Sequence, residues 1–267
     1  MKARRVGAVV LRQVYLLRGS MSRVLPLFIW VAVDMVLWGF ISRYLSTLAS
    51  PGFDFIPALL GAVLLWDFFG RVMHGVTMAF FEDVWSRNFL NFFATPMRVS
   101  EYVTGLVLTS IATSTLGLVA MVVVATGAFG LSFLAYGPLL LPFLLILFMF
   151  GIALGILSAA MVLRLGPPAE WFVWPIPGML SPFVGVFYPL STLPDWMQVV
   201  SRFLPPSYVF ESLRAMLAGR PAHLADLGLG LALAAGYLLL AAWVFTRVYR
   251  HAVQSGLLPR YSAESVS

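Results

Sequence analysis

Residues 178–217 read GMLSPFVGVFYPLSTLPDWMQVVSRFLPPSYVFESLRAML. The opening residues are apolar enough to end a membrane-spanning helix, but Pro189, Pro194, Pro205 and Pro206 then punctuate the chain. Proline has no N–H to donate and disfavours helical geometry in the residue before it, so the stretch must form short broken helices. Irregular backbone at membrane depth survives only where protein or a watery cavity satisfies its polar groups. A bundle must therefore surround this stretch, and the expected fold is all-α.

The rest of the chain has the composition of such a bundle. Of 267 residues, 61% are hydrophobic and 10% charged, with a mean hydropathy of +0.93. A soluble domain carries roughly 25% charged residues, so the deficit marks a polytopic integral membrane protein. At about 20 apolar residues per span, residues 1–267 accommodate about six transmembrane helices as one domain, with no room for a soluble catalytic domain. Spans are expected near 24–45, 55–81, 102–128, 138–163, 170–188 and 224–248, with a broken segment at 189–220. Residues 4–22 interleave Val6, Val9, Val10, Leu16 and Leu17 with Arg4, Arg5, Arg12 and Arg18. That mixture is too charged to span; it suits an interfacial helix whose arginines reach toward anionic headgroups. The first long apolar run begins only near Val24 with no small-residue cleavage site behind it, so an uncleaved anchor is expected. Cysteine is absent, which removes disulfides and thiolate metal sites.

Charge orients the chain. Six spans place both termini on one side, and 12 of the 17 basic residues fall on that side against four on the other, Arg71 lying within the second span. The positive-inside rule then makes both termini cytoplasmic, as in a bacterial inner membrane. The same distribution accounts for the net charge of +6 without a nucleic-acid partner.

Three groups of residues stand out as candidate sites. In the second span, Asp67, Arg71 and His74 share one helical stripe by their spacings of four and three. A central Asp or Arg costs about 2.5–3.5 kcal/mol on insertion scales, so the stripe should avoid lipid. Asp34 in the first span should lie at the depth of Arg71, which predicts an Asp34–Arg71 pair with Asp67 sharing the guanidinium. A fixed ion pair between the two spans, a lined transport path and proton coupling are all compatible with this cluster. The second group lies in the longest cytoplasmic connection, residues 82–100, where Trp85, Phe89, Phe92 and Phe93 recur at helical spacing before Pro96. They predict a short amphipathic surface helix, buried either in headgroups or against a partner. The third group is Asp195, Arg202, Glu211, Arg214 and Arg220 in the broken segment, where Glu211 and Arg214 are spaced to pair.

The run Phe187-Tyr188-Pro189, then Leu193-Pro194, then Pro206-x-Tyr208-x-x-Glu211-x-x-Arg214 resembles the segment after the fifth helix of ABC-2-type permeases, the membrane subunits of a class of ATP-binding-cassette exporters. The resemblance implies re-entrant helices that close the exit, with Pro189, Pro194, Pro206, Tyr208, Glu211 and Arg214 in that gate. Residues 82–100 likewise resemble the family's coupling helix, which docks into the ATPase subunit. Arg87, Phe89, Phe92, Phe93, Thr95 and Pro96 would sit at that contact, although Leu90 and Asn91 stand where members often carry Glu. The implied partners are an ATPase subunit, which would hold ATP and Mg, and a second permease subunit, with membrane lipid around them. The implied cargo is amphipathic or lipid-linked, moved outward.

No G-x-x-x-x-G-K-[ST] sequence is present, so the chain has no P-loop of its own and is expected not to be an enzyme. Three scattered histidines without clustered carboxylates give no metal site, and no cofactor is expected in this chain. Two readings compete with the exporter. One is an ion-coupled secondary transporter using Asp34, Asp67 and His74; the other is an intramembrane enzyme with a convergent acid/base cluster.

Overall fold

A computed structural model describes residues 3–19, 21–48, 56–85 and 97–255. The described residues form helices joined by turns: α1 Ala3–Arg18, α2 Met21–Leu48, α3 Gly61–Trp85, α4 Val99–Phe129, α5 Leu140–Leu165, α6 Ile176–Val184, α7 Asp195–Ser201, α8 Pro205–Leu217 and α9 Leu224–Gln254. Among the described residues, four stretches are long and apolar enough to cross a membrane: Ala58–Val84, Val99–Phe129, Tyr136–Leu165 and Leu224–Gln254. The chain is therefore an integral membrane protein of all-helical architecture.

α3 is the hub. Buried residues make up 61% of its apolar window, against 28% for α4 and 22% for α9, whose outer faces remain for lipid. Leu64, Phe69, Val72, Met73 and Phe80 of α3 are completely buried. Phe69 stacks on Phe150 of α5, which meets Tyr237 of α9 edge-on; farther along, Phe80 meets Phe245 of α9. Close approach depends on missing side chains. A methyl group built on Gly155 of α5 would lie 2.7 Å from the Met73 carbonyl oxygen and 2.8 Å from Val76 Cβ. Gly155→Ala is thus expected to push α5 off α3 at a cost of about 1–3 kcal/mol. Gly236→Ala in α9, where the same methyl meets nothing within 4 Å, should be neutral or stabilising by up to about 1 kcal/mol through helix propensity. Unfolding midpoints of the two variants in one detergent check the contrast.

These contacts also fix direction. Gly151 lies against Val72 and Gly155 against Val76, while Ile146 approaches Gly230 and Phe150 meets Tyr237. α3, α5 and α9 therefore run parallel. α4 runs the other way: Ser110 Oγ donates to the Val72 carbonyl at 2.9 Å, and Tyr102 reaches Asp83. Because α5 and α9 point the same way, the chain must travel back between them through residues 166–223.

That return is where the structure departs most from the expected continuous fifth span. A 3₁₀ segment, Pro167–Phe172, passes through a turn into the nine-residue α6. Helix α6 stops at Gly185, whose φ of 69° is open to glycine and strained for other residues, four residues before the first break expected from Pro189. Hydroxyl groups take up the freed carbonyls. Pro182 cannot donate to Gly178 O, and Ser181 Oγ does so instead at 2.9 Å. Tyr188 donates to the Pro182 carbonyl at 2.9 Å, and Ser201 of α7 donates to that of Phe183. The sequence demanded a protein environment for this backbone, and these side chains provide part of it.

α1 closes the opposite end. It packs along the start of α4, with Val9 seated over Gly105. Its end of the bundle also holds the C-termini of α3, α5 and α9; it is called the α1 end below, and the other the far end.

Candidate functional site

Polar side chains gather at three depths of the bundle, each positioned by a helix whose apolar residues hold it in place. Midway along α3, Arg71 Nε donates to Asp67 Oδ2 at 2.8 Å, one helical turn away. The two side chains are 24% (Asp67) and 14% (Arg71) exposed, so the pair is largely removed from solvent and lipid. Arg71 lies over Gly117 of α4, where a methyl group would come within 3.1 Å of its Cδ. Asp34 of α2 is half-buried and within electrostatic reach of both Asp67 and Arg71. His74, one turn further on, sets its ring 5.1 Å from that of Trp174 on the returning chain, tilted by 34°. The four residues singled out by spacing are thus neighbours. The expected Asp34–Arg71 bond is not among the ion pairs of the described residues: Asp67, on the same helix as Arg71, makes the short contact, and Asp34 acts from a distance.

At the α1 end a second network was not foreseen. Arg12 donates to Asp83, and Tyr102 donates to the other oxygen of the same carboxylate at 2.6 Å. Asp83 is fully buried and Tyr102 nearly so. Arg5 reaches Glu101 at 3.3 Å, and the same Glu101 oxygen accepts the Arg98 N–H at 3.0 Å, holding the first turn of α4. Gln13 donates to the Ala79 carbonyl at 3.3 Å. Arg5 and Arg12 were expected to face headgroups; they turn inward, because buried carboxylates of α3 and α4 bind a guanidinium more strongly than a hydrated surface does. Asp83 and Glu101 stand at the two ends of the connection expected to contact an ATPase. Arg87, Phe89, Phe92, Phe93, Thr95 and Pro96 of that connection lie outside the described residues.

At the far end, Pro189 leads into a short 3₁₀ turn, Pro194 caps α7, and Pro206 sits buried in the first turn of α8. Glu211 ties these pieces together: Oε1 accepts the Leu190 N–H at 3.0 Å and Arg214 Nη1 at 2.8 Å. Burial pushes the Arg214 guanidinium below its ordinary value, and Glu211 beside it works in the opposite sense. Tyr208 donates to the Arg202 carbonyl at 2.8 Å, bracing the end of α7 on α8. A cavity of about 520 Å³ opens between α8 and the start of α9. Among the described residues no group of three or more His, Asp or Glu is arranged to hold a metal.

The comparison with known families decides what bundle this is. A model of the ABC-2 type transporter family matches residues 20–218. The chain belongs to the ABC-2 type transporter family. The match runs from the start of α2 to the end of α8, so it takes in the polar cluster of α3, the unassigned connection and the whole broken return. No curated protein matches the chain. Membership gives this ABC-2 protein a permease role and makes it a non-catalytic transport subunit of an ATP-binding-cassette system. The sequence signals that led there were the proline-punctuated stretch and the aromatic connection. The Arg12–Asp83–Tyr102 network had no such signal, since its members are separated by 71 and 19 positions.

Proposed function

We propose that this ABC-2 permease is half of an exporter's pathway, moving an amphipathic or lipid-linked substrate outward with force supplied by a separate ATPase subunit. The family match across residues 20–218 carries the reading. The chain would cross the membrane six times: α2 and the broken return add two crossings to the four long apolar helices, which agrees with the parallel run of α3, α5 and α9. Both termini would then be cytoplasmic, on the side richer in arginine. α7 and α8 would dip back from the outer surface as re-entrant helices and close the exit. Residues 82–100 would be the coupling helix, with Phe92 and Pro96 against the ATPase. A second permease subunit would complete the path, and the exposed apolar faces around Phe40 of α2 and Trp171 are suited to such a neighbour as well as to lipid. ATP binding would bias two packings of the bundle.

Phe92→Ala is expected to leave insertion intact and to weaken assembly with the ATPase subunit by about tenfold or more, as loss of a central aromatic anchor does. Co-purification and ATP-driven uptake into inverted vesicles check it. Transport by the purified chain alone, with no ATPase present, would overturn the proposal.

A further inference from the structure

The far-end cavity has a chemistry that the gate reading does not use. Arg202 and Arg220 line it, both exposed and without an ion-pair partner among the described residues. Glu211 also lines it, but its charge is already engaged by Arg214 and the Leu190 N–H. Asp226 is the remaining carboxylate of the wall, so two guanidiniums face one carboxylate, with His223 beside them. Ser207 lines the cavity at 3% exposure, and its Oγ has no hydrogen-bond partner among the described residues. A buried hydroxyl left unmatched costs about 1–3 kcal/mol, so a ligand oxygen there would be rewarded. The first turn of the 31-residue α9 forms part of the same wall through His223 and Asp226, and no side chain caps its leading N–H groups. Those groups and the positive end of the helix dipole favour an anion. Burial, then the nearby Asp226, push the Tyr208 phenol above its ordinary value, and its hydroxyl is already given to the Arg202 carbonyl, so it adds no negative charge to the wall.

We infer that the cavity between α8 and the start of α9 binds a phosphate-bearing head group, held by Arg202, Arg220 and the Ser207 hydroxyl. A phosphate can give a separate oxygen to each guanidinium and to the hydroxyl, where the two oxygens of a carboxylate would have to be shared, and guanidinium matches phosphate in geometry as well as charge. The volume exceeds what bare phosphate fills and falls in the range of roughly 300–1,000 Å³ typical of small-molecule sites, so the phosphate carries a substituent. The inference deepens the exporter reading by giving the cargo, or the lipid that meets it at the exit, an anionic head. Binding is measured on the chain without an ATPase, so failure of one reading is distinguishable from failure of the other.

The full chain, purified in phosphate-free detergent, is titrated by calorimetry with glycerol 3-phosphate and with dihexanoyl phosphatidic acid. Saturable binding is expected, and Arg202→Gln/Arg220→Gln should weaken it by about tenfold or more. Arg220→Gln alone and Ser207→Ala should weaken it less, while Arg43→Gln on α2 should bind as the parent does. A clear preference for the phosphatidic acid supports a site for lipid or lipid-linked cargo; equal affinities support a site for the phosphate of a soluble cargo. The inference is overturned if neither ligand binds, or if the folded double variant, or Arg220→Gln should the double fail to fold, binds both as the parent does.

Discussion

Arg71→Met is expected to lower the stability of the bundle by about 3–5 kcal/mol, the cost of stranding a buried charge when its partner is removed. Arg71 is bonded to Asp67 and lies within reach of Asp34, so its loss leaves two carboxylates facing each other in a low-dielectric interior. The midpoint of unfolding by a denaturing detergent reads the effect. Adding Asp67→Asn to Arg71→Met should recover part of the loss, because the remaining amide needs hydrogen bonds but no counter-charge. If Arg71→Met is as stable as the parent, the three residues line a wet path instead of welding helices. Function separates the remaining alternatives. Asp34→Asn that assembles and turns over ATP normally with its partner, yet moves no cargo, would favour ion coupling. Unchanged transport would leave the cluster a structural fastening.

Asp83→Ala should be as damaging, at about 3 kcal/mol or more, because it removes the buried carboxylate that Arg12 and the nearly inaccessible Tyr102 hydroxyl share. Arg12 is partly exposed and can reach water, which holds the cost toward the lower end. Arg12→Met combined with Asp83→Leu is expected to be milder than Asp83→Ala alone, and a double-mutant cycle measures the coupling. The same substitution has a second readout. Since α1 is tied by Arg12 ahead of residues 86–96 and by Arg5 behind them, Asp83→Ala should speed hydrogen exchange of α1 amides while leaving those of α5 protected. Equal exchange of α1 in parent and variant would show that its docking does not depend on Asp83 and rests on its other contacts, Val9 over Gly105, Arg5 on Glu101 and Gln13 on the Ala79 carbonyl among them.

What could be read from residues alone divides along a physical line. Hydropathy and proline obey local rules, so the long helices and the broken return at 189–220 were legible before any coordinates. The spacing of Asp67, Arg71 and His74 likewise placed them on one stripe, and the depth argument brought Asp34 to the same level. Depth, however, says nothing of rotation about the helix axis, and the carboxylate bonded to Arg71 at 2.8 Å is its neighbour one turn back, not Asp34. The docking of α1 was out of reach for a related reason. Arginines interleaved with apolar residues make the same pattern whether headgroups or buried carboxylates receive them, and only packing reveals that Asp83 and Glu101 are waiting beneath them. Glycine set another limit: that Gly155 is a contact surface and Gly236 is not depends on the neighbour each faces, which composition does not encode.

The return reads as six residues of 3₁₀, a turn over residues 173–175 and nine residues of α6, roughly 30 Å of rise in all, against roughly 46 Å for the 31-residue α4. The hydrocarbon slab of a bilayer is about 30 Å thick. On the six-crossing proposal the return would have no length to spare and would stand close to upright, whereas α4 has room to tilt or to reach past the slab. Any lean of the return would then have to thin the membrane beside Trp171 and Trp174, so the segment that leads into the proposed gate is the one least free to tip.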